Sequence, residues 1–140
     1  SDVTIDPAGN AVISGFTGDK TSSIQTFLQF NTSFQRIDSF VVKYSLNGSQ
    51  EWFVTFGSSV NDAAFAISVD EGSNIYVAGI TDGNIDNQTR AGGSDIFVSK
   101  INRDGVRQWT LLVGSPENEM QVKMGTQKSN LILVVSTKGN

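Results

Sequence analysis

The stretch AAFAISVDEGSNIYVAGITDGNIDNQTRAGGSDIFVSKINRDGVRQWTLLVG, from Ala63 to Gly114, sets the pattern of the whole chain. Short runs rich in β-branched and aromatic residues alternate in it with clusters of Gly, Asn and Asp, the signature of strands joined by turns. An earlier version of the same text precedes it, and the start of a later one follows. DSFVVKYSLNGSQEW lies over DIFVSKINRDGVRQW at a constant offset of 57, placing Asp38 on Asp95, Phe40 on Phe97, Lys43 on Lys100, Gly48 on Gly105 and Trp52 on Trp109. The match carries on to Gly57-Ser58 over Gly114-Ser115. A second set, GNAVISGFTGD, SNIYVAGITDG and SNLILVVSTKG, superposes Asn10, Asn74 and Asn130 and then Thr17, Thr81 and Thr137, at offsets of 64 and 56. The loop between Gly18 and Ile37 is therefore longer than its counterpart, Asp82 to Ser94. Self-similarity of this kind identifies a repeat architecture.

Composition narrows the class. A chain of 140 residues is long enough for one modest core, and 14 glycines against two prolines suit a turn-rich all-β protein. It has no cysteine and so no disulfide framework, and no histidine, the commonest general base and metal ligand. A net charge of −4 without a basic run argues against nucleic acid as a partner. No apolar stretch approaches the roughly 18 residues of a membrane helix, so membrane insertion is not expected. The N-terminus carries no signal-peptide pattern. The chain starts inside one strand motif and stops just after another, as expected of a piece of a longer array.

In chain order, Val3-Thr4-Ile5 ends a first strand, and Asp6-Pro7-Ala8-Gly9-Asn10 is a tight turn before the strand Ala11 to Thr17. The loop TGDKTSSIQTFLQFNTSFQRI follows, with aromatics expected to tuck it against the sheets. Phe40 to Tyr44 is a strand closed into a hairpin by the two-residue turn Asn47-Gly48, and Trp52, Val54 and Phe56 form a stripe on the return strand. In the next copy Asp104-Gly105 makes the turn and Trp109, Leu111 and Val113 form the matching stripe. Ala63, Ala64, Ala66 and Ser68 put small side chains where strands converge on a tight axis. Ile75, Val77 and Gly79 oppose Tyr76, Ala78 and Ile80, so that strand is expected to be buried on both faces. Nothing has helical periodicity. Four strands in about 57 residues describe a four-stranded antiparallel β-propeller blade. The expected fold is one propeller fragment of about two and a half blades, at 1–57, 58–114 and 115–140, with Met120 to Lys138 starting the third.

The wording IYVAGIT followed by AGGSDIFVSKINRDGVRQWTLLVGS resembles the SBBP-type (seven-bladed β-propeller) repeat family of secreted and surface proteins. In that family, turns like Asp70-Glu71-Gly72-Ser73-Asn74 precede the second strand, Gly-Gly-Ser-Asp precedes the third, and a Trp marks the fourth. The likeness covers the chain up to Gly114 and fades in the third copy, where QVKMGTQKSN stands in place of an apolar strand and its turn. It implies a propeller in an extracellular or cell-surface setting and no particular reaction. Propellers typically close with about four to eight blades. The expected partners are thus the remaining blades of the same propeller or neighbouring subunits, with polysaccharide as a further contact. A parallel solenoid is the other architecture, weakened by the hairpin turns.

Three motifs carry candidate chemistry. Asp82, Asn84 and Asp86 have the spacing of a calcium loop but lack its glycine at the sixth position and its acid at the twelfth, here Gly93. Calcium is the one cofactor suggested, and a plain Asp/Asn/Gly turn is the competing explanation. Asn31, Asn47 and Asn87 head glycosylation sequons, with Asn31 and Asn87 the better acceptors. Trp52, Trp109, Tyr44 and Tyr76 could stack on sugars, although repeated aromatics in strands are more often core. The acid pairs Glu117/Glu119 and Asp70/Glu71 are read as solvated surface. The missing histidine, and no acid or nucleophile common to both copies, favour a non-catalytic module for structural and interaction roles. Its distinctive contact is assigned to the longer loop 18–37, through Phe27, Phe30 and Phe34. The alternative is part of a propeller enzyme acting on polysaccharide, with its active site in other blades.

Overall fold

The apolar runs become strands and the Gly/Asn/Asp clusters become their connections. A computed structural model describes residues 1–17, 37–117, 119–128 and 130–137, and contains no helix among them. Strands β1 (Asp2–Ile5), β2 (Ala11–Thr17), β3 (Asp38–Tyr44) and β4 (Gln50–Phe56) form one antiparallel sheet in that order. Strands β5 (Asp62–Val69), β6 (Ile75–Thr81), β7 (Asp95–Ile101) and β8 (Arg107–Val113) form a second sheet of the same order. A third sheet holds β9 (Glu119–Gln127) and β10 (Asn130–Thr137). The chain is all-β, as its patterning predicts, and both tryptophans take the same place. Trp52 pairs with Lys43, and Trp109 with Lys100.

One turn geometry recurs four times, and it differs from the two-residue hairpin expected at Asn47-Gly48 and Asp104-Gly105. Gly48 N–H donates to the Ser45 carbonyl and Ser45 N–H to the Ser49 carbonyl, so the loop has three residues, Leu46 to Gly48. Only the glycine lies at positive φ (+82°), the pattern of a tight turn completed by a left-handed residue and a bulge. Asn102 to Val106 repeats it with Gly105, Asp6 to Asn10 with Gly9, and Asp70 to Asn74 with Ser73 at φ 61°. The first side chain of three of these turns holds the loop. Asp6 Oδ1 accepts from Ala8 and Asn10 N–H, Asp70 Oδ1 from Gly72 and Asn74 N–H, and Asn102 Oδ1 from Asp104 and Val106 N–H. In the fourth turn Asn47 Oδ1 accepts from Ser49 N–H instead.

The third copy follows the pattern further than its sequence suggests. QVKMGTQ is part of β9, and Val122, opposite Val135, is buried against Ala78, Ile96 and Val98. In β5 a bulge at Phe65 puts an extra residue between Ala64 and Ala66, and β9 has its bulge at Met120 instead. The fall of the repeat offset from 57 to 56 lies in the turn: five residues separate the paired Val69 and Ile75, against four between the paired Thr126 and Leu131. On the edge strand β5, Ile67 N–H donates to Asp2 Oδ2 of the first sheet.

The sheets stack face to face. Val12, Val41 and Phe56 of the first sheet pack with Ala64, Ile67, Ile75, Val77, Phe97 and Ile101 of the second. The opposite face of the second sheet packs Ala78, Ile96 and Val98 on Leu131, Leu133 and Val135. Strand β6 is accordingly buried on both sides, as expected. Small residues set the approach of its inner neighbour, since a Cβ on Gly79 would run into the Ala63 carbonyl oxygen and the Ala64 backbone. Gly79→Ala should lower stability by about 1–3 kcal/mol, the scale of overpacking a filled interior. The measure is a reduced urea midpoint with an unchanged slope.

Candidate functional site

Both junctions between sheets present repeat-equivalent stripes, and among the described residues only the first stripe is covered by a turn. At the first junction Trp52 on β4 reaches the β7–β8 turn of the next sheet. Its Nε1–H donates to the Arg103 carbonyl at 3.0 Å, and its ring lies over Gly105, where an added Cβ would come within 2.8 Å. Phe56 meets Phe97 edge to face with centroids 5.7 Å apart, and the Arg107 guanidinium lies 5.5 Å from the Phe56 centroid. At the second junction the matching stripe on β8 is open. Trp109, Leu111 and Val113 are 42%, 50% and 37% exposed. Trp109 meets the Tyr76 ring at a tilt, with centroids 6.2 Å apart.

A buried carboxylate marks each junction. Asp62 Oδ2 accepts from Ser58 N–H at 2.6 Å and from Ser58 Oγ at 2.9 Å, while Val60 N–H donates to Ser58 Oγ. Glu119 Oε1 does the same for Ser115 N–H and Oγ, and Glu117 N–H donates to Ser115 Oγ. Each carboxylate has a second one near it or near its glycine. A Cβ on Gly57 would lie 2.6 Å from Asp62 Oδ2 and 2.9 Å from Asp38 Oδ1, and one on Gly114 would strike the Asp95 carboxylate. Asp62, Asp95 and Glu119 are all almost completely buried. Two expectations are thereby corrected. Acids are common to both copies, Asp38 with Asp95 and Asp62 with Glu119. Glu119 is not solvated surface but the clamp of a turn, and neither is Asp70, which is buried. The signal was the offset of 57, which carries Asp62 onto Glu119 four residues beyond the last match noted, masked by the change of side-chain length.

Burial raises the Asp62 carboxyl above its ordinary range. Hydrogen bonds from Thr81 and Ser58 oppose the rise, and the neighbouring Asp38 charge adds to it. Asp6 and Asp70 behave oppositely. Burial pushes each upward, but the Asn10 side chain and backbone, with Lys43, hold Asp6 below its usual value. Asn74, Tyr76 and Gly72 do so for Asp70. Lys43 is buried and contacts Asp6 Oδ2 at 3.0 Å and Glu51 Oε2 at 3.2 Å. Burial lowers its pKa, yet the two carboxylates carry it above the ordinary lysine value. In the second sheet Tyr76 stands where the first has Val12. Lys100 lies 5.6 Å from the Tyr76 ring centre, and the Tyr76 hydroxyl donates to Asp70 Oδ2.

The loop 82–94 uses its polar side chains to fasten itself. Asp82 accepts from Ser94 Oγ and Asn61 Nδ2, Asn84 Oδ1 accepts from Arg90 N–H, and Asp86 pairs with Arg107 at 2.8 Å. Each of the three proposed calcium ligands thus has a protein partner of its own, and Ile85 between them is buried. Among the described residues no three His, Cys, Asp or Glu are grouped to hold a metal ion. Gln88 lies along the outer edge of β8, its Nε2–H donating to the Thr110 carbonyl and its Oε1 accepting from Leu112 N–H. Asn87 is exposed at φ 62°. Asn31, Phe27, Phe30 and Phe34 lie outside the described residues. No protein-family model matches this chain, and a search of curated proteins finds no match either.

Because the raised pKa makes the native state hold the Asp62 proton more tightly than the unfolded chain does, this group favours folding most below the ordinary carboxylate pKa. That contribution is lost as pH rises through the raised value. Asp62→Asn keeps an acceptor for Ser58 and presents an NH2 donor to Asp38. It should stabilise the protein at pH 7 by about 1 kcal/mol, the net scale of one hydrogen bond gained in place of a buried charge. Urea titrations across pH should show the gain shrinking toward about pH 4, where the wild-type carboxyl also becomes neutral.

Proposed function

We propose that this chain is a non-catalytic β-propeller repeat module of an extracellular or cell-surface protein, serving as a structural and interaction scaffold. The observation that carries the proposal is the repeated junction. Each sheet packs an apolar face on the next, from the first sheet to the third, and at the first junction the Trp52 stripe is capped by the β7–β8 turn. Four-stranded sheets stacked through such faces have the build of propeller blades. The extracellular setting follows from the likeness of IYVAGIT and AGGSDIFVSKINRDGVRQW to the SBBP-type repeat. The scaffold role follows from what the junctions do with their acids. Asp62, Asp95 and Glu119 are buried at 3% exposure or less, two of them gripping turns, which suits holding sheets together and not reaching a substrate.

A scaffold of this kind acts through its terminal faces. On the first sheet Val3 and Ile5 are 60% exposed, and Phe40 and Phe53 stack at 5.6 Å on the side away from the second sheet. At the other end Ile132 and Val134 are exposed. Apolar faces of this type seek a neighbour, whether further blades, another subunit or a sugar polymer. The chain alone should therefore self-associate. Sedimentation velocity over a hundredfold concentration range should show a rising weight-average mass, and the melting temperature should rise with concentration. A monomer at all concentrations with one sharp, concentration-independent transition would count against the scaffold reading.

A further inference from the structure

We propose that the turn Ile85–Gln88 is a strap that occupies the outer edge of β8 and keeps the same strand of a second copy of this chain from pairing there. Strand β8 is the last strand of the second sheet and pairs on one side with β7. Its other side carries backbone donors and acceptors of the kind that template a further strand. The segment QWTLLV, Gln108 to Val113, adds to the hazard, since it is mostly β-forming and has no charge and no proline. Identical segments of that composition pair readily with one another.

The strap imitates one residue of an added strand. The Gln88 amide donates through Nε2 to the Thr110 carbonyl and accepts through Oε1 from Leu112 N–H at 3.0 Å. A strand running parallel to β8 would make the same pair of bonds with the backbone N–H and carbonyl of the residue facing Leu111. The side chain thus stands in for a peptide unit, and a strand of either direction spanning Gln108 to Val113 has to displace it. The segment that joins β6 to β7 travels past β7 to the far edge of β8 to place this amide, further than the connection itself requires. Three features hold it there. Asp86 and Asn87 lie at φ 50° and 62°, and Gln88 N–H donates to the Ile85 carbonyl at 2.9 Å. Two consecutive positive φ values mark a tight type I′ turn, and Asp and Asn are among the few side chains that adopt them. Ile85 anchors the turn at 1% exposure, in the same buried cluster as Val41 and Phe56 of the first sheet. Asp86 clasps the turn to β8 itself, its Oδ1 accepting from Arg107 Nη2 at 2.8 Å.

The test compares amide hydrogen exchange in the full chain, in Gln88→Ala and in Gln88→Met, which keeps the bulk of the side chain and removes both hydrogen bonds. In both variants the Leu112 amide should exchange about tenfold faster, the scale of one hydrogen bond lost, while the amides shared by β6 and β7 keep their protection. A second arm adds Leu111→Cys to each form, the sole cysteine of the chain, and oxidises all three at equal concentration. Both variants should yield several-fold more disulfide-linked dimer than the chain that keeps Gln88. The proposal is overturned if Leu112 stays protected in Gln88→Ala, or if Gln88→Met protects it as well as Gln88 does. It is also overturned if the edge opens and the dimer yield does not rise. Each readout is a difference between Gln88 and its variants, and association through the terminal faces is common to all forms. The strap and the scaffold reading therefore fail separately.

Discussion

Trp52 lying on the Gly105 turn is the contact through which one sheet is registered on the next. It requires two things of the sequence at once. The turn must pass through a left-handed residue, and that residue must have no side chain, because a Cβ there would meet the indole. Once the turn is in place, its Arg103 carbonyl takes the indole N–H, and Phe97 is set against Phe56. A stripe of three aromatic or aliphatic residues on one strand then has a complementary surface on the neighbouring sheet. The contact is directional, which gives the stack a polarity: each four-stranded sheet has a stripe side and a turn side.

Polar groups hold the parts that the apolar faces cannot. The turns before β2 and β6 are gathered around Asp6 and Asp70, whose carboxylates accept both backbone and asparagine side-chain donors. The links from one sheet to the next are gathered around Asp62 and Glu119, each gripping a serine four residues earlier. Asp6 and Asp70 respond to acid in the opposite sense to Asp62. Asp6 and Asp70, with depressed pKa values, stabilise the fold above the ordinary carboxylate range and lose that contribution as pH falls through their native values. Asp62 carries a charge that burial disfavours and is relieved by protonation.

Much of this was legible because period-two alternation and turn residues are local signals. The strands, the pairing of the two tryptophans and the both-face burial of β6 all followed from them. The turn type did not, since Asn-Gly serves both a two-residue hairpin and the three-residue loop seen here, and the choice lies in the bulge of the flanking strands. Asp82, Asn84 and Asp86 have the spacing of a calcium loop. Arg107, twenty-one residues away from Asp86, pairs with that carboxylate, a contact that no local reading finds. Glu119 reads as surface from the turn residues beside it, and its equivalence with Asp62 is what reveals the clamp. The difference between Trp52 and Trp109 is invisible in the repeat itself, which gives both the same neighbours in sequence and different neighbours in space.

That last difference is the most direct point of attack. Two single-tryptophan chains, Trp109→Phe keeping Trp52 and Trp52→Phe keeping Trp109, can be compared by emission wavelength and acrylamide quenching at a concentration where both are monomeric. If sheets register through the tryptophan-on-turn contact, Trp52 should emit at shorter wavelength and resist quenching, while Trp109 emits near the wavelength of indole in water and is readily quenched. Equal spectra and equal quenching, with both chains folded, would mean that Trp52 is not seated on the Gly105 turn and would contradict the account.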